Sequence, residues 1–156
     1  MEGSVQEQSG YGHKSRHAFK WEEKSFFEDV EHKRLLPEVV AMRRLFHYCA
    51  SVAQVRFGSG YIDGSFSAVF PGVSSRPPLS VFSSGIMRLS FGNLCDEEIS
   101  YICRDALADG LRESPPIAPK IPLALRGQTI NVRIEEWSKD VEGVISALES
   151  MRSKVP

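Results

Sequence analysis

Gly58, Gly60 and Gly64 lie close enough together to suggest a loop whose main-chain amides cradle a phosphate. The spacing argues against it. The run reads G-x-G-x-x-x-G, not the dinucleotide pattern G-x-G-x-x-G, and it leads through Asp63-Gly64 into another alternating stretch. A phosphate loop would open a helix whose N-terminus holds the anion. Nucleophilic catalysis needs Ser or Cys beside a base that a third group orients. His47 and Cys49, two residues apart on one expected helix, do not face each other. Glu28 and His32, at i and i+4, share a helical face as two metal ligands, with no third or fourth identifiable. Metal-dependent nuclease chemistry asks for acids and a lysine converging on a sheet. Asp63 is committed to a turn, Asp96, Glu97 and Glu98 to a helix start, and Glu135 and Glu136 near Lys139 read as helix-entry charges. The sequence thus points to no catalytic residue, cofactor or metal.

Its residue types do offer a surface. Arg56, Arg88, Arg126 and Arg133 all fall on expected strands. Gly58, Gly60, Ser65 and Ser67 leave one strand face almost bare of side chains, rimmed by Arg56, with Arg88 as a neighbour if the hairpins adjoin. Arginines so placed act as positioning contacts to phosphate; the competing reading is that they guard strand edges.

Three two-residue turn signals would position these groups: Asp63-Gly64, Ser84-Gly85 and Gly127-Gln128. Each separates alternating runs, and a two-residue loop sets which residues face each other. The first hairpin then pairs 57 with 70 and 61 with 66, collecting Phe57, Tyr61, Phe66, Ala68 and Phe70 on one face. The second puts Phe82 opposite Met87 and Val81 opposite Arg88. The third sets Ile121, Leu123 and Leu125 against Ile134, Val132 and Ile130. Helices are expected over 19–36, after Pro37, after a capping Asp96 and after a capping Ser138, each with an apolar stripe. Meander hairpins without βαβ crossovers imply an α+β domain, an antiparallel sheet with helices mainly on one side.

The whole chain of 156 residues suits a single domain over 18–156, behind a polar Gly/Ser/Gln-rich tail at 1–17 that holds His13 and His17 and is expected to be disordered. Nineteen basic against 20 acidic residues give no global field to draw in nucleic acid or a membrane, so any polyanion site must be local. Three widely spaced cysteines, Cys49, Cys95 and Cys103, read as reduced thiols of a cytoplasmic protein. No apolar run approaches a membrane span.

The segments WEEKSFFEDV (21–30), VRFGSGYIDGSF (55–66), LSVFSSGIMRLSFGNL (79–94) and DEEISYICRDAL (96–107) together resemble an uncharacterised prokaryotic α+β domain found alone or beside predicted nucleases and restriction-type proteins. The resemblance covers roughly residues 20–145. It implies a setting of DNA handling or defence and brings no catalytic residue to transfer. The resulting expectation is a non-enzymatic binding or accessory module with a protein or nucleic-acid partner and no membrane. Two rivals stay open: a hydrolase or nuclease whose acids converge from distant segments, and a structural homo-oligomer pairing through hairpin edges.

Overall fold

The aromatic-rich run after Trp21 forms helix α1 (Glu23–Lys33), and a computed structural model describes the chain from residue 20 to residue 156. The tail expected over 1–17 lies outside the described residues. Pro37 sits in the first turn of α2 (Leu36–Val52), whose Val39, Met42, Phe46 and Cys49 are buried as their spacing predicts. Four strands follow, β1 (Gln54–Phe57), β2 (Ser65–Val69), β3 (Leu79–Phe82) and β4 (Met87–Ser90). After α3 (Glu98–Arg112), strand β5 (Thr129–Val132) pairs with β4, and a single turn α4 (Ile134–Trp137) leads into α5 (Val141–Arg152).

The sheet is antiparallel throughout, in the order β1-β2-β3-β4-β5. This is the α+β meander that the hairpin pattern implies. Alternate residues Val55, Phe57, Phe66, Ala68, Leu79, Val81, Met87, Leu89, Ile130 and Val132 join the helices in one hydrophobic core. Phe26, Phe27, Phe46, Phe57 and Phe66 form its aromatic heart. Phe66 meets Phe26 at 5.4 Å and Phe46 at 5.2 Å, both edge to face, and Phe57 closes the group from β1. Such pairs add about 0.5–1.5 kcal/mol each beyond burial. They fasten the short edge strand β1 to the helical layer.

The turns differ in detail from the two-residue loops. Between β1 and β2 the connection runs over 58–64, and Phe57 faces Phe66, not Phe70. A shift of four residues is even, so the faces survive; of the expected core face, Tyr61 moves into the connection and is exposed, while Phe70, just past β2, stays buried. Trp21 is the cause. Its main-chain N–H donates to Gly58 O at 3.1 Å and its indole Nε1–H to Gly60 O at 2.9 Å, and a Cβ on Gly64 would lie 2.8 Å from its ring. Lys33 binds the other side of the loop, donating to Ile62 O at 3.2 Å and to Asp63 Oδ1 at 2.8 Å.

The second hairpin slips by one residue, which exchanges faces. Phe82 N–H donates to Ile86 O at 2.8 Å, leaving a three-residue loop Ser83–Gly85 with Gly85 at φ 106°. Val81 therefore meets Met87 and Ser80 meets Arg88. The loop is built in from three sides: Ser83 Oγ donates to Asp29 Oδ2 at 2.6 Å, Trp137 Nε1 donates to Gly85 O at 2.9 Å, and Arg34 reaches Ser84 O at 3.3 Å.

The third hairpin does not form. Pro122 lacks an amide, Arg112 binds its carbonyl at 2.8 Å, and Leu123 is 95% exposed where the pattern needs it buried. Ile121 and Leu125 are buried from an irregular segment instead, and β5 adds to β4. Two caps also move: Glu97 precedes α3, and Asp140, not Ser138, caps α5 by accepting from Gly143 N–H at 3.1 Å. Ser138 lies in the turn before it.

Candidate functional site

Because side chains alternate along each strand, the residues opposite the core face define a second sheet surface. Strand register arranges it in three rows across the sheet. The central one reads Arg56, Ser67, Ser80, Arg88 and Asn131. On one side lie Ser65 opposite Phe82, with Gly58 donating its N–H to Ser65 O at 2.9 Å. On the other lie Gln54 opposite Val69, and Ser90 opposite Thr129. No carboxylate occurs in any of these strand positions.

Five of the six residues singled out from sequence meet on this face: Arg56, Gly58, Ser65, Ser67 and Arg88. Gly60 does not. It belongs to the 58–64 connection, where its carbonyl is taken by the Trp21 indole. A Cβ at Gly58 would come within 2.3 Å of Ser65 Oγ, so the serine hydroxyl would have to turn away. Sequence reasoning missed Ser80 and Phe82 because the assumed two-residue turn put β3 and β4 out of phase, and Asn131 because its strand was paired with 121–125 and not with β4. The signal was present: a three-residue loop ending on Gly85 aligns Leu79 and Val81 with Leu89 and Met87.

Arg88 is the most structured group of the face. Its guanidinium carbon lies 4.8 Å from the centre of the Phe82 ring, and its Nε–H donates to Asn131 Oδ1 at 3.2 Å. Set beside the ring and tethered in this way, it keeps its two terminal amino groups free of hydrogen-bond partners among the described residues. A guanidinium with free amino groups suits bidentate contact with phosphate or carboxylate. Arg56, exposed on β1, donates to Gln54 Oε1 at 3.1 Å and meets no acid among the described residues. The centre of the row is low, with Ser67 and Ser80 hydroxyls 2.7 Å apart.

Most other described arginines are paired with acids, Arg76 and Arg126 excepted, and Arg76 donates to Cys95 Sγ at 3.4 Å. Arg34, Arg43, Arg44, Arg104, Arg112 and Arg152 each have a carboxylate oxygen within 3.1 Å. Arg133, at the corner beyond β5, stands 3.9 Å from Glu135. That carboxyl is held below its ordinary range by its own main-chain N–H and by Arg34. Arg126 is exposed in the turn before β5.

The remaining sequence candidates are scattered. Cys49 is fully buried, and burial pushes its thiol up to about 12, while His47 is exposed on another side of α2. Glu28 and His32 are both exposed, and among the described residues no group of three or more His, Cys, Asp or Glu side chains is placed to hold a metal ion. A cleft of about 480 Å³ outside α1 is lined by Glu22, Glu23, Lys24, Glu28, Glu31 and Arg43, around Phe27. Asp96 anchors the connection between β2 and β3, accepting from Ser75 N–H at 2.8 Å and Ser75 Oγ at 2.7 Å. These bonds hold its carboxyl below the usual range. No helix among the described residues is long and apolar enough to cross a membrane.

Comparison with protein-family models, with curated proteins and with solved structures finds no match to this chain.

Proposed function

We propose that this protein is a non-enzymatic binding module of the cytoplasm that holds nucleic acid against its second sheet face, as an accessory in nucleic-acid processing or defence. One observation carries the reading: among the described residues, Arg56 and Arg88 are left without acidic partners on a sheet face whose strand positions hold no carboxylate, while six other arginines are paired with acids. A nearly neutral chain needs such a local concentration of positive charge to attract a polyanion. The setting is that of the prokaryotic α+β domain which residues 21–30, 55–66, 79–94 and 96–107 resemble.

The test is fluorescence anisotropy with labelled oligonucleotides over a series of salt concentrations. Wild-type protein binds with an affinity that falls as salt rises. Arg56→Ala and Arg88→Ala each weaken binding about tenfold, the loss of one charge-assisted phosphate contact. Lys139→Ala, on the α4–α5 side, leaves it unchanged. Absence of salt-dependent binding, or indifference to both arginine substitutions, rules the reading out.

A further inference from the structure

We infer that the ligand of this face is a single-stranded nucleic acid, lying in a trough between Arg56 and Arg88. The inference rests on the nucleic-acid reading above and narrows it. Along the central row the side chains run long, short, short, long: arginine on β1, serines on β2 and β3, arginine on β4. Three strand spacings separate the arginines by about 14 Å. Ser65, Ser67 and Ser80 form the low middle of the floor, with Phe82 beside Ser65 and Val69 two residues beyond Ser67, and it is narrow enough for one backbone to be touched from both walls.

A duplex meets two obstacles. Five strands span roughly 19 Å, broader than the major groove of about 12 Å, so the sheet does not enter it. Nor does the face project a helix or a two-stranded ribbon, the elements that reach base edges in a groove. An unpaired strand instead exposes the faces of its bases. Arg88 holds its guanidinium carbon 4.8 Å from the centre of the Phe82 ring, and among the described residues it meets no other ring and no acid, so the pair offers a cation and an aromatic group side by side. Single-stranded bases stack on arginine planes and aromatic rings of this kind. The phosphates on either side of a base stacked there fall within reach of the free Arg88 amino groups and of Arg56.

The contacts go to phosphate and base plane, so sugar identity is not read, and oligothymidylate and oligouridylate are expected to bind within about threefold of each other. The experiment compares these two with a duplex of matched length, heparin and polyglutamate, by anisotropy or competition. Expected is at least tenfold preference for the single strands over the duplex. The salt slope should be about −1.4, two phosphates at −0.7 each. Ser67→Leu fills the trough without changing charge on a solvent-facing position, and it should abolish the preference while circular dichroism and melting remain those of the wild type. Ser80→Leu does the same from the neighbouring strand should the first variant melt early. Duplex binding as tight as single-strand binding, still dependent on Arg56 and Arg88, overturns the trough and leaves the nucleic-acid reading in place. Tight binding of polyglutamate or heparin with none of either oligonucleotide overturns both, as does failure to bind any of the polyanions.

Discussion

Tyr48 and Glu149 show how single residues hold the helical layer together. The Tyr48 hydroxyl donates to Glu149 Oε2, which also accepts from Arg152 at 2.7 Å, linking α2 to α5. This hydrogen bond, with the arginine, holds the Glu149 carboxyl below its ordinary range, while burial and the neighbouring acid push the Tyr48 hydroxyl well above its own. The two shifts act at opposite ends of the pH scale. A depressed carboxyl contributes stability above its unfolded pKa, lost as pH falls through the folded one. A raised phenol contributes stability below its unfolded pKa, lost as pH climbs toward the folded one. Denaturation followed across pH should show one limb weakening below about pH 4.5 and another above about pH 10. Glu149→Gln flattens part of the first and Tyr48→Phe part of the second. An unchanged acid limb in Glu149→Gln would assign the acid sensitivity to Asp96 and Glu135 instead.

Among the elements, the β3–β4 hairpin decides how much of the site was legible in the sequence. Alternation identified its strands, yet loop length set their phase, and a slip of one residue moves every side chain to the other face. The Ser84-Gly85 pair suggested two residues in the loop; Gly85 at φ 106° closes three. The third residue is Ser83, whose hydroxyl is buried between Asp29 Oδ2 and the Gly64 N–H at 2.8 Å. That tertiary contact fixes the longer loop, and no local pattern announces it. The first hairpin survived a larger error because its displacement was even, so the arginine and serines kept their face. Gly85→Ala is expected to be costly on two grounds, the left-handed backbone and a Cβ placed 2.6 Å from Ile134 Cγ2. About 2–4 kcal/mol should be lost in urea denaturation. A loss below ~1 kcal/mol would show that the turn relaxes, and with it the phase of the arginine row.

At the level of the whole molecule, the described residues form two layers, with their helices gathered on one face of the sheet and the polar rows on the other. The class was readable because hairpin periodicity and helical stripes are local signals. The third hairpin misled because the alternation of Ile121, Leu123 and Leu125 was matched to the wrong partner, while the Pro115, Pro116, Pro119 and Pro122 series and the Arg112 contact keep that segment irregular. Closure of the helical layer depends on α3 crossing α5 at very short range. A Cβ on Gly110 would stand 2.7 Å from Ala147 Cα, and there the main chain, not a flexible side chain, must give way. Gly110→Val is therefore expected to lower stability by about 3 kcal/mol, seen as an earlier urea midpoint. Oligonucleotide affinity below that midpoint should stay near the wild-type value, since this crossing belongs to the layer away from the arginine row.

The anchoring of Trp21 on the 58–64 connection also decides where the polypeptide enters. Lys20 Nζ donates to Phe57 O at 2.8 Å, so the described chain begins at the corner where β1 ends, one residue beyond Arg56. Near its other end Val155 packs against Gly72, past the far end of β2. The two ends of the described chain thus flank the sheet lengthwise. A reporter dye or a second nucleic-acid-binding unit grafted ahead of Lys20 is tethered beside the arginine row at high effective concentration, whereas the same graft after Pro156 leaves from the remote end.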